Sequence, residues 1–210
     1  MNEIKLRGLI RDIKPSHSIG DIGYDKANLI VSRDDGTEDV INLRFKKFSN
    51  SYKEDQEVEL VGNVRSYSRQ LDNGKNKVDI YVFTYFDKPS WDVPQYFEEY
   101  HDKLPNNELV VDGRICKIDE LRTLSNGKKN IHFIIANNLV IGDGNQKLNS
   151  YLPCIAWGKA AADIAKLSVN SKITIYGKLQ SREYHKKISD EEFEIRVAHE
   201  VFVKSFTTDD

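Results

Sequence analysis

The sequence predicts an all-β fold with one minor helix, arranged as two tandem five-stranded Greek-key barrels. Three observations predict it. The chain repeats itself, each copy breaks into short runs rich in Val, Ile, Tyr and Phe, and turn dipeptides punctuate those runs.

The repeat is direct. At an offset of 105 positions, Asn2-Glu3-Ile4-Lys5-Leu6-Arg7-Gly8-Leu9-Ile10 lies over Asn107-Glu108-Leu109-Val110-Val111-Asp112-Gly113-Arg114-Ile115, and Asn, Glu, Gly and Ile coincide. Ile13 and Ile118 add a further identity. Downstream, "YDKANLIVSRDDG" answers "GKKNIHFIIANN", "VINLRFKKF" answers "LPCIAWGKA", and "VELVGNVRSYSRQ" answers "ITIYGKLQSREYH".

Within each copy the strands are delimited by Asp35-Gly36, Asn73-Gly74 and Asn126-Gly127, dipeptides that accept the positive φ of tight hairpin turns. Between the third and fourth strands of the second copy, "GKAAADIAKLS" places Ala161, Ile164, Ala165 and Leu167 at helical spacing, able to face a core. The first copy has "KKFSNSYKED" there, so its helix is expected to be shorter or absent. Five short strands with one helix between the third and fourth is the order of an OB-fold, a small barrel that often binds oligonucleotides. Residues 1–86 are expected to form the first, divergent OB-fold and residues 107–206 the second. The connector 87–106 holds three prolines, an acidic excess and an aromatic stripe of Trp91, Tyr96, Phe97 and Tyr100, expected to seal the gap between the barrels.

Composition narrows the function. A balance of 31 Lys+Arg against 33 Asp+Glu with 39% hydrophobic residues describes a soluble globular protein. The chain has no apolar run of about 18 residues and its N-terminus lacks signal-peptide character, so a cytoplasmic location is expected. Cys116 and Cys154 lie in apolar runs without metal spacing and read as small buried thiols. Gly158-Lys159 is not a phosphate loop, because Pro153 stands where glycine is required and Ala160 where Ser or Thr is required. "RDDGTED" reads as a solvated turn, and the five histidines show no catalytic or metal spacing. No enzyme activity, metal or cofactor is expected.

Single-strand binding needs rings for base stacking and a positive track for phosphates on one surface. Along Tyr151-Leu152-Pro153-Cys154-Ile155-Ala156-Trp157, an extended strand turns Tyr151 and Trp157 to one face and Leu152, Cys154 and Ala156 to the core. Lys159 follows. In the next strand Lys178, Gln180, Arg182 and Tyr184 alternate against Leu179, Ser181 and Glu183, which gathers a lysine, an arginine and a tyrosine on one face.

The pieces "GRICKIDELRTLSNGKKNIHFIIANN", "CIAWGKAAADIAKL" and "KITIYGKLQSREY" together resemble the bacterial single-stranded DNA-binding protein family over roughly residues 107–204. The resemblance implies stacking at Tyr151, Trp157 and Tyr184, with phosphate contacts near Arg114, Lys128, Lys159 and Arg182. In the first copy, the internal match puts Phe45 in the place of Trp157, Lys47 in that of Lys159 and Gly62 in that of Gly177. Asp39 falls where Tyr151 stood, and Tyr67 and Arg69 substitute approximately for Arg182 and Tyr184. Residues 1–86 carry 14 basic and 14 acidic groups, whereas residues 107–206 carry 15 and 12, so the first copy is expected either to bind more weakly than the second or to serve mainly as a pairing surface.

The expected function is largely sequence-independent binding of single-stranded DNA in replication, recombination or repair. A primosome or recombination accessory protein of related fold, and an OB-fold protein-interaction module without DNA binding, stay open as alternatives. The resemblance implies a homodimer carrying four OB-folds; a monomer whose fused barrels satisfy each other also stays open. Family members usually end in an acidic tail with a hydrophobic tip that recruits partner enzymes. This sequence stops at "KSFTTDD", so replication or recombination partners are not expected to dock by that route.

Overall fold

The computed structural model describes residues 1–47, 52–70, 74, 76–84, 106–141, 146–187 and 193–208. The first copy contributes β1 (Asn2–Ile19), β2 (Ile22–Ser32), β3 (Glu38–Lys46), β4 (Gln56–Gln70) and β5 (Asn76–Thr84). Their lateral order β2-β3-β5-β4-β1 closes through β1–β2 pairing, with β3 and β5 parallel. The second copy contributes β6 (Asn107–Ile118), a two-residue β7 (Arg122–Thr123), β8 (Lys129–Ile141), β9 (Gln146–Trp157), helix α1 (Gly158–Ile164), β10 (Lys172–Lys187) and β11 (Phe193–Thr208). It closes in the same manner through β6–β8, with β9–β11 parallel. These are two OB-fold barrels, and the short β7 alone adds to the expected five strands of the second.

The barrels are fused edge to edge. β1 and β6 pair antiparallel from Asn2↔Val111 to Leu6↔Asn107, so a single sheet runs through both. Alternate residues fill each core. Ile4, Leu6, Ile10, Leu29, Ile41 and Leu43 are buried in the first; Ile115, Phe133, Ile135, Leu152, Ile173 and Ile175 are buried in the second.

The identities that reveal the repeat have structural causes. The buried Asn2 amide donates to the Val64 carbonyl at 2.7 Å and accepts from Val64 N–H at 2.9 Å. Asn107 does the same to Leu179, at 2.6 and 3.0 Å. Each asparagine imitates a backbone rung where the opening strand leaves its neighbour, and so satisfies two groups that burial would leave costly. Gly62 and Gly177 are also repeated for cause, because a Cβ at either would collide with the carbonyl of Phe83 or Phe202 respectively.

The helix spans seven residues and packs on β8, β9 and β11. Ala161 and Ile164 are buried and Leu167 packs against the core, as the spacing predicts. Ala165 does not: it is exposed, because the helix stops at Ile164 and leaves Ala165 at its C-cap. In the first copy, Lys47 and residues 52–55 form no helix, and residues 48–51 lie outside the described residues. The connector also lies outside them, its aromatic stripe included, except for Asn106, whose carbonyl accepts from Arg7 N–H at 2.9 Å. Cys154 is buried, and burial pushes its thiol pKa up. Cys116 corrects the expectation of two buried thiols: the irregularity between Ile115 and Lys117 turns it to the exposed side.

Candidate nucleic-acid interface

β9 divides its side chains as the sequence predicts. Leu152, Cys154 and Ala156 are buried, while Tyr151 is 49% exposed and Trp157 half-buried on the opposite face. Six residues of strand separate the two rings, about 20 Å, so they form two separate positions on that face. Tyr151 pairs across the ladder with Ala136, and Ala136 with Arg114, which sets Tyr151 and the exposed Arg114 in one cross-strand row. Arg114 Nη1 donates to the Asn170 carbonyl at 2.9 Å, which steadies the guanidinium. At the other position Trp157 pairs with Asn130, and the exposed Lys128 sits in the turn just before it. Lys159 extends from the first turn of α1, its ammonium 2.6 Å from Asp163. Hydrogen bonds from Lys159 and Lys166 hold the Asp163 carboxyl down at about 2.

On β10, Lys178, Gln180, Arg182 and Tyr184 share the outer face, opposite the buried Leu179 and Ser181. The Lys178 ammonium lies 5.5 Å from the Phe202 ring centroid, and the Arg182 guanidinium 5.9 Å from that of Tyr184. Sequence reasoning missed Glu200 between them. This carboxylate, 5% exposed, accepts from Gln180 Nε2 at 2.9 Å and lies 3.6 Å from Arg182 Nε and 4.0 Å from His132 Nδ1. A buried negative charge thus occupies the middle of the second barrel's face and engages part of the positive charge of Arg182.

The first barrel requires a correction of register. Leu43 pairs with Val82 across the parallel ladder, and Cys154 with Val201 across the corresponding one. Leu43 therefore answers Cys154, Phe45 answers Ala156, and Lys46 answers Trp157. Phe45 is 2% exposed and meets Tyr52 edge-on in the core at 5.8 Å, so it presents no stacking face. A one-residue slip reverses every side chain of a strand, and matching the two aromatic residues made that slip. Lys47 is exposed in the turn after β3, with its N–H bonded to the Gly23 carbonyl at 2.9 Å.

The same register moves Asp39 opposite Ser150 and Val40 opposite Tyr151, and the contacts between barrels agree. Val40 N–H donates to Ser181 Oγ at 2.8 Å, as Tyr151 N–H does to Ser66 Oγ at 2.7 Å. Ser181 N–H donates to Asp39 at 2.6 Å, as Ser66 N–H does to Ser150 Oγ at 3.3 Å. Asp39 is thus not a lost stacking position but an interface residue, 1% exposed and ion-paired with Arg33. Arg33 in turn donates to the Ser181 carbonyl at 2.8 Å, and His199 Nε2 to that of Val40 at 2.7 Å.

Tyr67 and Arg69 do share the outer face of β4. Arg69 Nε donates to Asp79 at 2.9 Å. Tyr67, 39% exposed, lies 4.7 Å from the Arg44 guanidinium, which also covers Tyr81 at 4.3 Å. Beside them Arg65 covers Phe83 at 4.0 Å. Arg44, Arg65, Tyr81 and Phe83 were not anticipated, although period-two alternation in "INLRF" and "DIYVF" marks Arg44 and Tyr81 as outward.

Two OB-fold barrels that set aromatic rings among lysines and arginines on their outer faces define a single-stranded DNA-binding protein. Residues 106–206, the second barrel, match the single-strand binding protein family. It acts by binding and not by catalysis. Two crystal structures of the single-stranded DNA binding protein from Thermus aquaticus share the whole fold. A deletion variant has a TM-score of 0.69 at 14% identity, covering 100% of this chain and 94% of that one. The wild type has 0.66 at 13% identity, covering 100% and 93%. No curated protein matches the chain by sequence. Among the described residues no helix is long and apolar enough to cross a membrane.

Proposed function

We propose that the chain binds single-stranded DNA with little sequence preference by stacking bases on Tyr151, Trp157 and Tyr184 while Arg114, Lys128, Lys159, Lys178 and Arg182 neutralise phosphates. The observation that carries this reading is the division of β9, whose one face closes the barrel while the other offers Tyr151 and Trp157. Lys47, Tyr67 and Arg69 extend the surface onto the first barrel. Phe45, being core, has no part in it. Such binding suits cytoplasmic protection of strands exposed in replication, recombination or repair.

A homodimer of four barrels fits the exposed stripe of Phe193, Ile195 and Val197, alternate residues on one face of β11. Light scattering after size exclusion reads this directly: one chain mass at micromolar concentration rules the dimer out. The binding itself is tested by titrating labelled oligo-dT at two salt concentrations. Affinity that falls steeply with salt is expected, and no binding at low salt would leave the protein-interaction reading in its place. Lys159→Ala should lower the salt slope by about one if its ammonium meets a phosphate. An unchanged slope removes Lys159 from the track.

A further inference from the structure

We propose that the outer face of the first barrel is a nucleobase-stacking groove and the principal stacking station of the chain, with Arg44 between Tyr67 and Tyr81 as its platform. This rests on the single-strand-binding reading and reverses the expected ranking of the two barrels.

The groove lies across β1, β2, β3, β4 and β5, with a volume of about 340 Å³, within the ~300–1,000 Å³ range of ligand sites. Lys14, Lys26, Asn42, Arg44, Tyr67 and Tyr81 line it. The guanidinium of Arg44 lies over both tyrosine rings, whose centroids are 6.2 Å apart at 62°. Two rings hold that guanidinium in place, so little freedom remains to be lost when a base stacks on it or on the open side of Tyr67.

The platform continues into a track. Arg44 neighbours Phe83 across the parallel ladder and Lys26 across the antiparallel one. Phe83 meets Tyr24 at 6.1 Å, and Tyr24 stacks on His17 at 4.8 Å with planes 7° apart. Rings and cations therefore follow one another from β4 to the β1–β2 end of the barrel. Arg65 covers Phe83, and its Nε, shielded from solvent, finds no hydrogen-bond partner among the described residues.

Carboxylates do not close the groove to a polyanion. Asp12 receives Lys14 at 3.3 Å and Asn28 at 3.1 Å; Asp79 receives Arg69 at 2.9 Å and Lys77 at 3.2 Å. Among the described residues, the second barrel lacks this arrangement. There the strand registers put Ile155 opposite Arg44 and the buried Glu200 opposite Tyr81. An apolar side chain and a negative charge thus stand where the first barrel has its cation and ring.

The test uses the full-length protein and oligo-dT carrying one photoreactive 5-iodouracil, with crosslinked peptides identified by mass spectrometry. Crosslinks at Tyr67 or Tyr81 are expected. Arg44→Ala should weaken oligo-dT binding about tenfold or more, and by more than Trp157→Ala does. Arg44→Lys, which keeps the charge without the plane, should recover less than half of that loss in free energy. Crosslinks confined to Tyr151, Trp157 and Tyr184 overturn the proposal and leave the single-strand-binding reading standing. Should Arg44→Ala fail to fold, wild-type crosslinking decides alone. Absence of any wild-type binding overturns both readings.

Discussion

Phe45 and Trp157 align in sequence, yet the structure buries one in the core and leaves the other half-buried on the outer face, and replacing each by alanine separates the two. Phe45 is 2% exposed and packs edge-on against Tyr52. Removing a buried phenylalanine costs about 3–5 kcal/mol, a large share of the roughly 5–15 kcal/mol that holds a domain folded. Trp157 closes no core. It ends β9 half-buried with its strand-mates at 152, 154 and 156 facing inward, so its loss leaves the barrel filled. On the proposed reading, the affinity it would supply by stacking is about 1–3 kcal/mol per base.

Urea denaturation followed by circular dichroism measures the first quantity, and oligo-dT titration of the folded variants at fixed salt measures the second. Phe45→Ala is expected to lose stability by several kcal/mol, whereas Trp157→Ala is expected to keep its fold and lose affinity. Lys46→Trp completes the comparison, because it places a ring at the position that answers Trp157 and should tighten binding. A stable Phe45→Ala that binds poorly would refute the register. It would return Phe45 to the outer face and put Lys46 inside.

Two further predictions concern the contact between barrels. Asp39→Ala leaves the Ser181 N–H and the Arg33 guanidinium without their carboxylate; breaking such a buried pair costs about 3–5 kcal/mol, reduced here to roughly 2–3 because Arg33 keeps a quarter of its side chain in water and its bond to the Ser181 carbonyl. Thermal unfolding checks this, and a change below about 0.5 kcal/mol would remove Asp39 from the interface energetics. His199 makes the contact acid-sensitive. Burial holds its pKa below the ordinary value of 6.5, so the folded state favours the neutral ring; the stability this supplies is present above pH 6.5 and is lost as pH falls through the folded pKa. Between pH 7 and pH 5 the wild type should lose more melting temperature than His199→Gln, and equal losses would refute the assignment.

Much of the fold was legible because the repeat records contacts made twice. The paired asparagines and glycines mark backbone mimicry and close strand approach, and both depend on residue type alone. The outward Tyr151, Trp157, Arg182 and Tyr184 were legible through strand alternation. Register within β3 was not, because identity of chemistry at Phe45 and Trp157 outweighed the period-two burial of Ile41 and Leu43, which places Phe45 inside. The Arg44 platform was hidden for another reason. Fourteen acids balance fourteen bases over residues 1–86, and the average conceals which face each occupies. Glu200 was equally invisible, since its inward neighbours are known only once β11 is set beside β10.

The contacts between the barrels show what fusion permits. Ser66 and Ser181 hold corresponding places on β4 and β10, and each receives the N–H of the other barrel's third strand. A symmetric dimer of single barrels would carry the same residue on both sides of such an isologous interface, so every substitution would act twice. In one chain the two sides are free to differ, and they do. One side answers Ser181 with the buried Asp39–Arg33 pair and His199; the other answers Ser66 with the hydroxyl of Ser150. The same freedom reaches the outer faces. Glu200 stands in the second barrel where Tyr81, covered by the Arg44 guanidinium, stands in the first. Unequal barrels on a shared sheet would, on the proposed reading, offer a bound strand two surfaces of different chemistry, a difference that four identical barrels could not supply.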